Sequence, residues 1–391
     1  MASFADDGCY VAPSAVHGRG LFAARDFAAG ETVLTEAPLV AMQDLSNQQE
    51  VLACGRCLAF VDTGDEAALL KLAARQESRR NLHDAWEKQG GVTLCNYKCG
   101  QVYCSEECRA AHEAQGHAAL CVGALDEAGA AEHPLMKFKM LAIHSNEILL
   151  LAADAIARTA AASPGDAAAA VRAWEASFGV FVGPQWPDVV SQSRELAQSD
   201  DDSSELCASL KQLCEDAAEL LSQALVPTFG DSAAVLCTAD RVSRLIGTFE
   251  HNNIGVRSVH PLNKGEAEPS DLPGCGWGQA AAPGPLEGTS LYSRTCCANH
   301  SCDPSLDVIY LKRAFGQPLR ATLVARRPVF KGEELAISYI DAARSRSSRR
   351  AATTEYGFLC ACSRCDAAGS EDHQTDDEDW ETDDEMDEEE A

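Results

Sequence analysis

The sequence predicts an α+β fold in which short β-strands gather at both ends of the chain, helices fill the middle, and zinc ties the loops together. Three observations carry that expectation: apolar strand-like runs at residues 10–42 that return late in the chain, a helical stripe at Ser203–Val226, and cysteines grouped at ligand spacing.

At the N-terminal end, the run Gly20–Ala24, a Gly30-Glu31 turn and Thr32–Val40, with a proline at 38, read as strands. Ala24-Arg25-Asp26-Phe27-Ala28-Ala29-Gly30-Glu31 resembles Ala325-Arg326-Arg327-Pro328-Val329-Phe330-Lys331-Gly332-Glu333 with one extra residue. Each leads into an apolar segment, so the two are expected to be related hairpins. In the middle, Leu206, Leu210, Leu213, Ala217, Leu220 and Leu221 hold an i, i+4, i+7 stripe behind a serine cap, which predicts a packing helix with Cys207 and Cys214 as small core hydrophobes. Glu66–Gln89 is polar and helix-like, whereas Pro261–Gly288 is rich in Gly, Pro and Ala without periodicity and reads as a loop.

A chain of 391 residues with 46% hydrophobic content can bury two or three packed units. Its richest apolar stretch, Leu135–Ala157, is broken by lysines, His144, Glu147 and Asp154, so no membrane association is expected. The start Met-Ala-Ser-Phe-Ala-Asp-Asp lacks the basic flank and apolar core of a signal peptide, which predicts a cytoplasmic or nuclear protein without disulfides. The net charge of −28 argues against nucleic acid, whose phosphates need a basic face, and favours basic polypeptide partners. Acidity concentrates at the end, where 14 of the residues 371–391 are Asp or Glu. This tail is expected to be disordered, serving either solubility or an electrostatic lure for cationic substrates over a Debye length of about 10 Å.

The 18 cysteines need another account in a reducing compartment, and their spacing supplies zinc. Cys54-x2-Cys57 precedes Cys95-x3-Cys99-x4-Cys104-x3-Cys108-x8-His117-x3-Cys121, eight ligands for two tetrahedral sites. His112 competes for the histidine position; His117 is preferred because His-x3-Cys puts both ligands on one face of a helical turn. Cys360, Cys362 and Cys365 supply three ligands of a further site and need a fourth from a distant segment.

Cys104-Ser105-Glu106-Glu107-Cys108-Arg109 with His117-x3-Cys121 resembles the second half of a MYND zinc finger. The resemblance implies interleaved ligation, with Cys54, Cys57, Cys104 and Cys108 on one ion and Cys95, Cys99, His117 and Cys121 on the other. The long gap after Cys57, and the x3 in Cys95-x3-Cys99, depart from the family pattern. Gly18-Arg19-Gly20-Leu21-Phe22, Asn299-His300-Ser301-Cys302 and Glu334-Leu335-Ala336-Ile337-Ser338-Tyr339, in that order and followed by Tyr356-Gly357-Phe358-x-Cys-x-Cys-x2-Cys, resemble the SET methyltransferase core. Together the motifs resemble the SMYD family, most of all its acidic-tailed members without a C-terminal helical-repeat domain and their plant trithorax-related relatives.

What the resemblance implies is a SET-type β-clip of short strands with an inserted MYND module, a helical insert, one threaded segment and a zinc-bound post-SET segment. The implied division is 1–50 for the first part of the SET domain, 51–122 for the MYND insertion, 123–285 for the helical insert and loop, 286–341 for the SET core, 342–366 for the post-SET segment and 367–391 for the tail. Cys302 joins Cys360, Cys362 and Cys365, making three zinc ions in all. Implied for S-adenosylmethionine are Gly18, Arg19, Gly20, Asn252, Asn299, His300, Tyr339 and Phe358, with Tyr339 and Tyr356 flanking the methyl transfer. The neighbouring His251, like His144 and His260, reads as ordinary.

Methyl transfer to lysine needs alignment and a deprotonated amine, which an apolar aromatic channel and a nearby cation both favour. The implied activity is therefore protein-lysine N-methylation by a monomer acting on a basic segment such as a histone tail or ribosomal protein. A non-catalytic scaffold, whose MYND module binds proline-rich peptides, is the rival reading. A cysteine oxidoreductase is disfavoured because nothing local lowers a thiol pKa.

Overall fold

Strand segments from the two ends of the chain pair with one another across the length of the sequence. The computed structural model describes residues 8–65, 69, 92–123, 127–181, 183–196, 203–263 and 283–366. The helix expected in Glu66–Gln89 apart from Leu69, most of the Pro261–Gly288 loop and the acidic tail lie outside the described residues.

The N-terminal strands are β1 (Cys9–Pro13), β2 (Arg19–Ala23), β3 (Thr32–Glu36) and β4 (Val40–Gln43); β5 (Thr93–Leu94) and β6 (Val102–Tyr103) follow. Later come β7 (Ile254–Ser258), β8 (Leu286–Leu291), β9 (Asn299–His300), β10 (Leu306–Ile309), β11 (Ala321–Ala325) and β12 (Glu334–Ile337). They form sheets of order β1-β2-β12-β9, β10-β11-β3, β4-β8-β7 and β5-β6. The loop expected over Pro261–Gly288 thus gives way at Leu286 to β8, a central strand between β4 and β7. Its small residues Gly288 and Ser290 mask the strand in the sequence, and Gly288 is needed because a Cβ there would lie 2.2 Å from the Met42 carbonyl oxygen.

The two related hairpins bond to each other. Phe27 and Val329 exchange backbone hydrogen bonds at 2.9 and 3.0 Å. Gly30 N–H donates to Ala325 O while Gly332 N–H donates to Ala23 O, and Ala325 N–H reaches Glu31 O while Ala23 N–H reaches Glu333 O. Glu31 pairs with Arg25 and Glu333 with Arg327, each at 2.7 Å. The correspondence runs Ala23–Glu31 to Ala325–Glu333 without insertion, so the extra residue allowed from the sequence is not needed. Leu21, Ala23, Phe27, Val33, Leu34, Leu323, Ala325, Val329 and Leu335 pack the core beneath this clip.

The zinc-ligand segments form their own small core around Cys54, Cys95, Val102 and Tyr103. Helix α1 (Glu106–His112) starts where Ser105 Oγ accepts from Cys108 N–H at 3.2 Å. The middle of the chain supplies α2 (Pro134–Ser145), α3 (Ile148–Ala161), α4 (Ser204–Phe229) and α5 (Ala239–Asn252), packed around Leu149, Ile156, Leu221, Leu225 and Phe249. The stripe expected over Ser203–Val226 is α4, which continues past Pro227 to Phe229. Ser203 makes no capping hydrogen bond, because its own backbone is near-helical (φ −76°, ψ −3°) and lacks the extended geometry of a cap. Cys214 is buried in this core, whereas Cys207 is half-buried against Ser191 and the Pro187 carbonyl.

The zinc module docks on α3 through Gly116. Its φ is +115°, and a Cβ there would sit 2.9 Å from the Ala157 backbone, so only glycine permits the approach. Beside it, His112 contacts Asp154, which pairs with Arg158 at 2.7 Å. Among the described residues no helix is long and apolar enough to cross a membrane.

Candidate active site

Twelve ligands gather into three groups whose donor atoms all lie within 4.8 Å of one another: Cys54, Cys57, Cys104, Cys108; Cys95, Cys99, His117, Cys121; and Cys302, Cys360, Cys362, Cys365. A tetrahedron with Zn–S near 2.3 Å has sulfur atoms about 3.8 Å apart. The structure has Cys57–Cys104 at 3.7 Å, Cys57–Cys108 and Cys95–Cys121 at 3.8 Å, Cys302–Cys360 at 3.7 Å and Cys302–Cys365 at 3.6 Å. The donor sets fit three closed structural zinc sites. Of the two competing histidines, His117 Nε2 sits 3.4 Å from Cys95 Sγ and 3.6 Å from Cys99 Sγ. His112 Nδ1 is instead 3.1 Å from the Tyr103 hydroxyl.

The third group fastens the segment Cys360–Cys365 to Cys302, just after β9. Before that segment, α6 (Arg346–Thr354) leads into Tyr356 and Phe358. Arg349, 1% exposed, sends Nη1 to Arg344 O at 2.7 Å and Nη2 toward Cys365 Sγ at 4.0 Å, setting a cation beside the thiolates. His300 bridges to the same group, its Nε2 3.3 Å from Cys302 Sγ, while its Nδ1 accepts from Tyr339 N–H at 3.0 Å. Burial, with the Arg349 charge, lowers the His300 pKa to about 4, which keeps Nδ1 an acceptor.

At the end of β12, where the apolar run stops, a cavity of about 240 Å³ opens. His251, Asn252 and Asn253 contribute polar groups from the end of α5; Cys296, Ala298, Val308 and Ile337 give it apolar and thiol surface; Tyr339 and Tyr356 complete it. The Tyr339 hydroxyl donates to Ala298 O at 2.9 Å and the Tyr356 hydroxyl to Tyr339 O at 3.1 Å, with the rings 5.2 Å apart. Burial raises the Tyr339 phenol well above its ordinary value, with Cys296, Cys297 and Tyr356 adding to it. Burial raises Tyr356 likewise, with Glu355 and Glu250 adding negative charge. Both phenols therefore stay neutral and their protons are committed to carbonyls, which leaves oxygen lone pairs as acceptors.

Of the residues implied for the donor, Asn252 and Tyr339 line the cavity, and the Asn252 amide nitrogen also bonds Thr248 O at 2.8 Å. His300 and Phe358 adjoin it through ring contacts with Tyr339 at 5.4 and 6.3 Å. Gly18, Arg19 and Gly20 belong to the β1–β2 turn and β2, joined to Asn299, whose Nδ2 donates to Arg19 O at 3.2 Å and to Glu334 Oε1 at 2.7 Å. His251, read as ordinary from the sequence, also lines the cavity, and its buried Nε2 has no hydrogen-bond partner among the described residues. An orphaned polar atom beside asparagines and an aromatic ring fits a site for a ligand with hydrogen-bonding groups, as S-adenosylmethionine has. The Ala298 carbonyl, Cys296 and Val308 carry no motif that would single them out.

The SET-domain family model matches residues 250–340, which span Asn252, Asn299, His300 and Tyr339. Histone-lysine N-methyltransferase ATXR2 of Arabidopsis thaliana is 25% identical, over 89% of this chain and 88% of its own. Protein-lysine N-trimethyltransferase SMYD5 of Homo sapiens is 27% identical, over 93% of this chain and 88% of its own. The chain is thus similar to SMYD-type SET methyltransferases along about nine-tenths of its length. Among solved structures, the SET domain of LSMT bound to lysine and AdoHcy aligns at 12% identity with a TM-score of 0.37 over 91% of this chain and 54% of its own. That likeness is too slight to bear on the assignment.

Proposed function

We propose that this chain is an S-adenosylmethionine-dependent protein-lysine N-methyltransferase, the activity named in ATXR2 and SMYD5. The observation that carries the reading is the pair of neutral phenols, Tyr339 and Tyr356, whose hydroxyl protons are held by backbone carbonyls at the wall of one cavity. The donor supplies an electrophilic methyl on a positive sulfonium. Asn252, Asn253 and His251 offer it polar contacts, and Phe358 offers a ring face. The acceptor amine enters between Tyr339 and Tyr356, where desolvation by Val308, Ile337 and the two rings favours its neutral, nucleophilic form. The phenol oxygens and the Ala298 carbonyl orient it and accept weak CH···O contacts from the transferring methyl. No residue need act as a strong base.

Glu250 and Glu355, whose charges reach the Tyr356 phenol, favour a lysine with basic neighbours. In this reading the substrate is a basic protein segment, a histone tail or ribosomal protein, met in the nucleus or cytoplasm. The test is transfer of labelled methyl from S-adenosylmethionine to core histones and ribosomal protein, with Tyr339→Phe as control. Label on lysine that falls on the order of 10- to 100-fold in the variant, the worth of one hydrogen bond to a charged centre, supports the enzyme. Absence of both label and donor binding in the wild type favours the scaffold.

A further inference from the structure

The turn carrying Gly18-Arg19-Gly20 is tied to the Asn299-His300 strand by one carboxylate, Glu334. Ser14 Oγ lies 2.8 and 2.9 Å from its two oxygens and donates its proton between them. The same Ser14 oxygen accepts from Val16 N–H at 2.9 Å and His17 N–H at 3.3 Å, so it both shapes the turn and anchors it. From the other side, Asn299 Nδ2 donates to Glu334 Oε1 at 2.7 Å and to the carbonyls of Arg19 at 3.2 Å and His17 at 3.3 Å. Gly20 lets the carboxylate in: a Cβ there would stand 2.5 Å from Glu334 Oε1. Glu334 also sits at the start of β12, opposite Phe22 of β2, five residues before Tyr339.

We infer that Glu334 is a positioning residue for the methyl donor: it holds the Gly18–Gly20 turn and the Asn299 amide in the one geometry that can receive it. This rests on the reading of that turn and strand as the donor site. The Asn299 amide nitrogen is used within the protein, so it is the turn, and not a free asparagine NH2, that Glu334 and Asn299 together present. Glu334 does not reach the reacting atoms, so its effect falls on donor affinity and not on the chemical step.

The experiment compares wild type with Glu334→Ala, Glu334→Gln, Ser14→Ala and Ser14→Ala/Glu334→Ala. Donor affinity is read by calorimetry with S-adenosylhomocysteine, turnover at saturating donor by methyl transfer, and mobility of residues 14–20 by hydrogen exchange without ligand. Expected are a tenfold or greater loss of affinity in Glu334→Ala, turnover at saturation within about twofold, faster exchange confined to the turn, partial rescue in Glu334→Gln, and a double variant no worse than Glu334→Ala. Unchanged affinity in a folded Glu334→Ala overturns the inference, as do additive effects of the two substitutions. If Glu334→Ala does not fold, the Gln and Ser14 variants decide by the same affinity and exchange readouts. A wild type that binds no S-adenosylhomocysteine overturns the donor-site reading itself; a wild type that binds it while the variants bind equally well overturns only the role of Glu334.

Discussion

Cys362→Ser isolates the post-SET zinc with the least disturbance of packing, since Cys362 is half-buried whereas Cys302 and Cys365 are 2% and 1% exposed. Structural zinc contributes on the order of 10–16 kcal/mol in small domains, so one of four ligands accounts for roughly 3 kcal/mol. At about 1.4 kcal/mol per tenfold, the third zinc should bind a hundredfold or more weakly. None of its ligands is shared with the other groups, so those two ions should be untouched. After dialysis against a chelator of intermediate affinity, the metal content should read three ions per wild-type chain and two per variant chain. Because the group anchors the segment bearing Tyr356 and Phe358, the variant should also lose affinity for S-adenosylhomocysteine. Three ions retained through the same dialysis would remove Cys362 from the ligand set and refute the reasoning.

Gly116→Ala puts a Cβ against the Ala157 backbone at φ +115° and should cost about 2–4 kcal/mol, read as a lower denaturation midpoint; an unchanged midpoint would refute the docking role of Gly116. His260, 1% exposed, has its pKa lowered to about 4 by burial. The unfolded chain takes a proton near pH 6.5 that the folded one refuses, so stability is full above about pH 6.5 and is lost as pH falls toward 4. His260→Gln should remove roughly 2.5 kcal/mol of that acid-induced loss at pH 4.5. Because the variant keeps the same zinc ligands, equal slopes in the two proteins would show that acid acts elsewhere.

The zinc ligands were legible because coordination chemistry dictates residue type and spacing together, and the geometry chose His117 where two histidines competed. The repeated hairpin was legible because each copy keeps its own turn and ion pair, Arg25–Glu31 and Arg327–Glu333. What escaped depends on partners far away in sequence. Glu334 reads as one of two acids before a strand until it meets Ser14, 320 positions away. His251 reads as an ordinary helix-end histidine until α5 places it in the cavity. The first half of β8, Leu286–Gly288, looked like loop because glycine suits a strand where another backbone comes as close as Met42 does to Gly288.

The clip in which Ala23–Glu31 and Ala325–Glu333 complete each other sets a timetable for synthesis. At about 5–20 residues per second, the N-terminal half waits roughly 15–60 s on the ribosome before its partner emerges. Residues 54–121, which hold both ligand sets of the inserted zinc module, are by then already out. All eight of its ligands can therefore meet metal first, before the late segment arrives that bonds the module through Arg313 to Leu58 O and through Leu319 N–H to Cys57 O. The catalytic half closes last, when the strand that ends at Ile337 and the cysteines after it arrive together, so a chain cut short before residue 325 keeps the eight ligands of the zinc module but only half of the clip.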